Sequence, residues 1–356
     1  MVISPEVLRH LPMAFWIGFL GAGISAWPIF RALVQFKSRQ TISQYAPEGH
    51  QAKQGTPTMG GLIVAAGVIV WLVFWLPHAN TKDTAAYLGL FLGFAIIGFV
   101  DDYVVPRLLA GKRGLGWKQK ILMQIGMSIL VALSLKMDFG VSCVVIFLIL
   151  FFSNAYNFSD GLDGLAGTLG LLLFGAVGVL GLLLGAPAAL SLTSFAICGA
   201  YLPFLFLNAP PAKIFMGDVG SLPLGAVLGL FVAQLAMADA PGAGPWSFGV
   251  IGALVVLSIV MICELVPVPL QILSVKVRKK KLFPYTPIHH AFEKAGWPES
   301  RVVWRFAFVQ AVCSAAAVAW IVMARPTDEP KNLEGRLHIP THLQKTLAAK
   351  VVTVEE

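Results

Sequence analysis

The chain has 356 residues and a formal net charge of +8, with 57% of its residues hydrophobic and only 12% charged. That charged fraction is half the ~25% of a soluble domain, and the mean hydropathy is +0.78. Polar residues are too few to cover two soluble domains, and apolar ones too many for a disordered chain. An ordinary water-soluble enzyme is thereby excluded, and a polytopic membrane protein remains.

A helix that crosses ~30 Å of hydrocarbon needs ~20 mostly apolar residues. By that measure ten spans are predicted in chain order: 12–34, 58–77, 85–104, 119–137, 140–158, 164–184, 187–207, 219–238, 246–267 and 302–323. Strand alternation is absent, which argues against a β-barrel, and no internal repeat is evident. Close glycines, as at Gly175 and Gly178, read as helix packing through small residues. The opening MVISPEVLRH lacks a basic n-region, and no small-residue cleavage site follows the first apolar run. That run therefore reads as a retained span rather than a signal peptide. Cys143, Cys198, Cys263 and Cys313 stand singly in apolar runs, as small hydrophobes between helices rather than a redox or metal set.

Orientation follows from lysine and arginine. Seventeen of them flank the loops after spans 1, 3, 7 and 9, against three on the other side before the C-terminal tail. The first side is expected to be cytoplasmic, with both termini outside. The organisation is then a single transmembrane catalytic domain, 1–324, with cytosolic loops 35–57, 105–118, 208–218 and 268–301. A polar tail of unread role follows at 325–356. The fold class is all-α: a polytopic helical bundle of about ten transmembrane helices.

Acids are costly inside a membrane, so their positions are informative. Asp101 and Asp102 end span 3 in GFVDDY. Asp160 and Asp163 follow span 5 in SNAYNFSDGLDGLAG, and Asp218 opens span 8 in IFMGDVGS. All fall at cytoplasmic span ends. Taken singly, an Asp pair can be merely solvated at the interface, and Asp218 can be merely a helix cap. Asn154, Asn157, Asp160 and Asp163 recur every three residues, a spacing that drifts around a regular helix. Ser-Asp-Gly within that run points to a broken helix with polar groups in a cavity, although a polar turn between spans would look similar. Together, the clusters on one basic surface point to a divalent cation. Mg²⁺ takes one or two carboxylates and completes its shell with phosphate oxygens and water, and the surrounding cations suit a phosphate-bearing substrate. Lys279-Lys280-Lys281 reads instead as a topology signal or an anionic-lipid contact.

His289 and His290 lie in the longest cytosolic loop, PIHHAFEKAGWPESRV. Adjacent positions diverge on a helix, so a two-histidine chelate is weak, and phosphate contact is the better chemical reading. Polar loop packing stays open beside it.

GTPTMGG (55–61), FVDDY (99–103), NFSDGLDGLAG (157–167), NAPPAKIFMGDVGS (208–221) and PIHHAFEKAGWPESRV (287–302) together resemble the polyprenyl-phosphate N-acetylhexosamine-1-phosphate transferases. Within that superfamily they are most similar to the phospho-N-acetylmuramoyl-pentapeptide-transferase family. The resemblance implies Mg²⁺-dependent transfer of phospho-N-acetylmuramoyl-pentapeptide from its uridine diphosphate carrier to undecaprenyl phosphate. The products would be lipid I and UMP, made at the cytoplasmic face of a bacterial inner membrane. A sister transferase moving N-acetylglucosamine-1-phosphate is the alternative enzyme, and the histidine loop favours the muramoyl one.

By the same resemblance Asp218 is the Mg²⁺ ligand, with Asp101 or Asp102 a further candidate ligand. Asp101 and Asp102 form the essential acidic pair. Asn154, Asn157, Asp160 and Asp163 line the nucleotide site, Asn208 and Phe215 surround the uracil, and Lys53 and Lys120 stand beside the phosphates. His289 and His290 match the first two of a His-His-His signature whose third member is Ala291 here. Val104-Val105 replace a basic residue usual after the Asp pair. The partners implied are the nucleotide substrate, the prenyl phosphate and the bilayer; a homodimer is left open and no nucleic acid is expected. An ion-coupled transporter, the other class considered, would need ionisable groups near the midplane of repeated halves. Glu264 is the one acid that would suit it, with a groove-lining or structural role equally open.

Overall fold

The computed structural model describes residues 5–35, 56–77, 81–109, 114–238 and 244–324. The chain divides into two units, residues 1–324 and 325–356. The second unit, Lys53 and most of the first cytosolic loop lie outside the described residues.

Every predicted span is helical, and no strand forms among the described residues. In order the helices are α1 (Pro5–Gln35), α2 (Gly61–Trp75), α3 (Thr81–Phe99), α4 (Val105–Leu108), α5 (Trp117–Ser134), α6 (Phe139–Phe158) and α7 (Leu165–Leu184). There follow α8 (Ala188–Asn208), α9 (Asp218–Met237), α10 (Phe248–Leu257), α11 (Ile259–Leu265), α12 (Pro267–Arg278), α13 (Ile288–Lys294) and α14 (Glu299–Ala324). Among the described residues, eight helical runs are long and apolar enough to cross a membrane, against the ten spans expected. This is a multi-pass, all-α membrane protein.

Helix α9 is the axis of the bundle. All of its apolar window is buried, against 17% of that of α1, and α6, α3, α2 and α7 pack around it. Composition explains the difference. Helix α9 carries one charge, Asp218 at its first residue, and small residues along its edges. By contrast, α1 turns Trp16, Leu20, Ile24 and Trp27 outward, as a lipid-facing helix does. Gly225 and Gly229, one turn apart, let the backbone of α6 approach. A Cβ on Gly225 would come 2.5 Å from the Phe152 carbonyl and 2.7 Å from Ser153 Cα.

Several polar side chains inside the bundle find partners there, as a medium without water favours. Tyr87 donates to Gln234 at 2.6 Å, Trp71 Nε1 to Thr193 at 3.2 Å and Ser153 to the Leu222 carbonyl at 3.0 Å.

Two expected spans differ in detail. Span 3 does not stop at Asp101-Asp102. A π-helical turn, Val100–Val104, carries it on into α4, so Lys82–Leu108 is one helical run. The helix also begins earlier than the expected residue 85, so that Asp83 lies in its first turn. The predicted span 246–267 is broken. Its first part, α10, has 10 residues, about half the length a crossing needs. At Ser258 the hydroxyl bonds back to the Leu254 carbonyl at 2.7 Å, a local competitor of the helical ladder. Pro267 then opens α12, and the apolar run Ile259–Arg278 extends into what was expected to be loop 268–301.

The contact of α6 with α9 is directly testable. Gly225→Ala should lower the unfolding midpoint in detergent, by about 1–3 kcal/mol of overpacking. Gly89→Ala, whose added Cβ would meet nothing within 4 Å, should leave it unchanged or raise it by about 0.4–1 kcal/mol. Equal responses would show that the close approach does not matter.

Candidate active site at the start of helix α9

A helix start leaves backbone N–H groups without partners and carries a positive dipole end. At α9 other elements answer that demand. Asp102 Oδ2 accepts from Val219 N at 3.1 Å, and Asp160 Oδ2 from Gly217 N at 2.9 Å. Gly217 has φ +73°, the left-handed region that favours glycine. A Cβ there would come 2.7 Å from Asp102 Oδ2 and 2.9 Å from Thr58 Oγ1.

The π turn that carries Asp101 and Asp102 has a local cause. Pro106 has no N–H to offer the Asp102 carbonyl, and the N–H of Val105 reaches back five residues to Val100. Such bulges widen a helix and redirect its side chains. Here the neighbouring aspartates part company. Asp102 turns to the α9 amide, whereas Asp101 takes the Leu115 N–H on Oδ1 at 2.5 Å and Lys120 Nζ on Oδ2 at 3.0 Å.

Lys120 also pairs with Asp218, whose other oxygen accepts from Asn157 Nδ2 at 2.7 Å. Asn157 reaches Ser221 as well, at 2.9 Å. The Asp218 carboxylate is spent on Lys120 and Asn157, so it is more than a simple cap. Asp101, Asp102 and Asp218 thus gather around one ammonium. Burial pushes the Asp160 carboxyl, in the turn between α6 and α7, well above the usual carboxylate range, against the lowering pull of the Gly217 N–H.

Among the described residues no three His, Cys, Asp or Glu side chains form a ready metal cage. The donor set fits a cation held differently. Asp101 and Asp218 already share one cationic group, and an excess of carboxylate over ammonium remains. One or two carboxylates with phosphate oxygens and water is the usual shell of Mg²⁺.

The other expected residues divide into groups. Asn154 lies one turn deeper than Asn157, donating to Gln124 Oε1 at 2.9 Å and the Leu150 carbonyl at 2.8 Å. Asn208 is buried and ties loops together, accepting from Gly164 N at 3.1 Å and donating to the Ile214 carbonyl at 2.8 Å. Asp163 accepts from Ala212 N at 2.9 Å, which holds the same loop. Phe215 links to Pro57 and Gly60 through its backbone, at 2.9 and 2.7 Å. These residues shape the site rather than meet at its acidic centre.

The histidines were expected to diverge, but their ring centres lie 4.2 Å apart; it is their partners that differ. His289 Nδ1 donates to Glu264 at 2.7 Å, and both side chains are fully buried. His290 pairs with Glu293 at 2.5 Å on the more open side. Gln271 fixes the preceding loop to α12, accepting from Leu282 N and Phe283 N at 2.8 and 2.9 Å. Trp297 packs on Phe292 and carries the Arg305 guanidinium 4.2 Å from its ring centre.

Sequence reasoning missed Ser221 and Gln124 as members of this network, and it left Glu264 unassigned. Ser221 lies three residues after Asp218 and Gln124 four after Lys120, so helical spacing from a suspected residue was the available signal.

With this geometry in hand, comparison with known proteins identifies the family. The profile described as glycosyl transferase family 4 matches residues 84–236, and phospho-N-acetylmuramoyl-pentapeptide-transferase signature 1 matches residues 53–63. Three relatives bear the name phospho-N-acetylmuramoyl-pentapeptide-transferase. That of Lactobacillus acidophilus is 37% identical over 302 residues, covering 79% of this chain and 88% of the relative. That of the Wolbachia of Brugia malayi is 34% identical over 313 residues, covering 80% and 91%. That of Bacillus pumilus is 32% identical over 345 residues, covering 90% and 100%. Identity and coverage of that extent place the chain, a phosphoglycosyl transferase, in the phospho-N-acetylmuramoyl-pentapeptide-transferase family.

Proposed function

We propose that the chain transfers phospho-N-acetylmuramoyl-pentapeptide from UDP-N-acetylmuramoyl-pentapeptide to undecaprenyl phosphate, releasing UMP and forming lipid I. A phosphate oxygen of the lipid attacks the sugar-bearing phosphorus of the nucleotide. The new P–O bond forms as the P–O bond to UMP breaks. The basic loops favour an active site on the cytoplasmic face of a bacterial inner membrane, with both termini outside.

The observation that carries this reading is the charge arrangement at the start of α9. Two polyanions must approach each other, and Asp101, Asp218 and Lys120 form a centre able to share cations. Asp218, with Asp101 beside it, would hold Mg²⁺, which supplies charge neutralisation for the phosphates. Lys120 offers a further positive group to the phosphates. Asp101 positions the lipid phosphate; a strong base is not required, because a phosphomonoester is mostly ionised above its second pKa of ~6. Asp102 and Asp160 keep the first amides of α9 in place. The loops held by Asp163, Asn208 and Phe215 form the wall on the nucleotide side.

The direct test supplies purified chain with UDP-N-acetylmuramoyl-pentapeptide, undecaprenyl phosphate and Mg²⁺, and measures UMP. Release is expected, lost with a chelator and restored by Mg²⁺. Turnover of UDP-N-acetylglucosamine instead would overturn the sugar assignment. Asp218→Asn should raise the Mg²⁺ concentration for half-maximal rate about 10–100-fold; an unchanged Mg²⁺ response would remove Asp218 from the metal.

His290→Ala should lower kcat about 10–100-fold, the equivalent of one charge-assisted hydrogen bond of about 1.5–3 kcal/mol, with an unaltered unfolding midpoint. Wild-type kinetics would leave His290 as loop structure.

Asp160 gives a stability prediction with a definite sign. Its carboxyl is raised above the ordinary value of 3.8, so the fold favours the neutral form. Stability from this group is full at low pH and is lost as pH rises toward and through the raised value. Asp160→Asn keeps an acceptor for Gly217 without the charge. Its unfolding midpoint at neutral pH should equal or exceed that of the unaltered chain, and a clear fall would contradict the burial argument.

A further inference from the structure

The pair of Glu264 on α11 and His289 on α13 has no part in the chemistry above, and its geometry asks for one. Both side chains are fully buried and joined at 2.7 Å. Their other polar atoms, Glu264 Oε1 and His289 Nε2, are also buried and have no hydrogen-bond partner among the described residues. Nε2 is packed against Gly161, where a Cβ would lie 2.5 Å away. Gly161 adjoins Asp160, whose carboxylate holds Gly217 at the start of α9.

Stability does not account for this arrangement. Withdrawing a carboxylate and an imidazole from water is costly, and apolar residues of similar size are often as stable or more so. Each buried atom left without a partner is a further cost. Position does account for it. With Nδ1–H committed to Glu264, the tautomer and ring plane of His289 are set, and Nε2 can face only the turn between α6 and α7. The pair also joins two elements that sequence alone would leave independent, the broken ninth span and the histidine loop.

We propose that Glu264 is a positioning residue of the transferase. It acts through His289, whose buried Nε2 stands against Gly161, to set the α6–α7 turn that carries Asp160. This inference rests on the transfer reaction proposed above.

The test compares the unaltered chain with Glu264→Gln, His289→Ala, the two combined, and the apolar pair Glu264→Met with His289→Phe. UMP release gives kcat and KM, and thermal unfolding in detergent reports the fold. Glu264→Gln keeps its size and one hydrogen bond, so its midpoint should hold while kcat falls about 10–100-fold. His289→Ala should fall at least as far. The combined variant should be no more than about 2-fold slower than His289→Ala, because both act through one group. The apolar pair should unfold at the same or a higher temperature, yet stay slow. Where it does not fold, Glu264→Gln decides.

Full kcat in Glu264→Gln, losses that multiply in the combined variant, or full turnover in a folded apolar pair would each overturn the proposal. So would midpoint and kcat falling together in Glu264→Gln, since that marks a structural pair. An unaltered chain that releases no UMP overturns the reaction itself and this inference with it. Loss confined to the variants bears on the pair alone.

Discussion

The first turn of a helix carries amides without intrahelical partners, and α9 begins with Gly217 and Asp218 only partly exposed. In a membrane protein those amides cannot rely on bulk water, so other elements must bring acceptors to them. The acceptors are Asp102 and Asp160, which belong to different helices and different loops. Once they are committed, the π turn in the third span, the end of α6 and the glycine turn at Gly217 are all constrained together. Asp101 and Asp218 are then left close enough to share Lys120. The electrostatic demand of one helix end thus organises the acidic centre, and the arrangement proposed for catalysis comes from the same contacts that hold the bundle.

Lys120 resolves part of the excess negative charge and leaves part of it. Three carboxylates around one ammonium are an unbalanced set in a site of low dielectric. A site built only for stability would balance them or replace them with apolar groups. In the proposed reaction the imbalance is useful, because the incoming nucleotide and lipid phosphates bring further negative charge that requires cations. The lysine and a metal ion would draw on the same oxygens. Removing either partner of the Lys120 pairs should therefore alter metal dependence as well as rate.

Hydropathy made the helical segments legible, though not their exact number, since an apolar run of ~20 residues has few other outcomes in a chain so poor in charge. It could not show the break at Ser258, because SIVMICELVPVP reads as continuous apolar sequence, and a serine hydroxyl bonding back to its own helix leaves no mark in composition. Nor did it show the π turn, although Pro106, four residues beyond Asp102, was a usable sign. The acidic residues of the site were legible by type and by their place at span ends. Their partners were not. Asn157 meets Asp218 across 61 residues, a distance that no local pattern spans. The break after α6 was legible in Ser-Asp-Gly, since helix ends at Phe158 and resumes at Leu165. Glu264 was visible as a misplaced acid but had no reading until His289 was found against it.

That pairing changes how the broken ninth span is understood. A continuous helix through 246–267 would carry Glu264 along a straight path fixed by lipid and neighbouring helices. Past the interruption at Ser258, α11 packs beside α6, α13 and α14. Helix α13 is only seven residues long, too short to be stable by itself. It is held from three sides: by Glu264 through His289, by Trp297 on Phe292, and by the loop that Gln271 fastens. The histidine loop therefore keeps its place through contacts that do not pass through the acidic centre. Among the described residues, the histidine loop and the acidic centre at α9 meet at the turn that carries Asp160 and Gly161. Substitutions on the two sides should combine independently everywhere except at that turn.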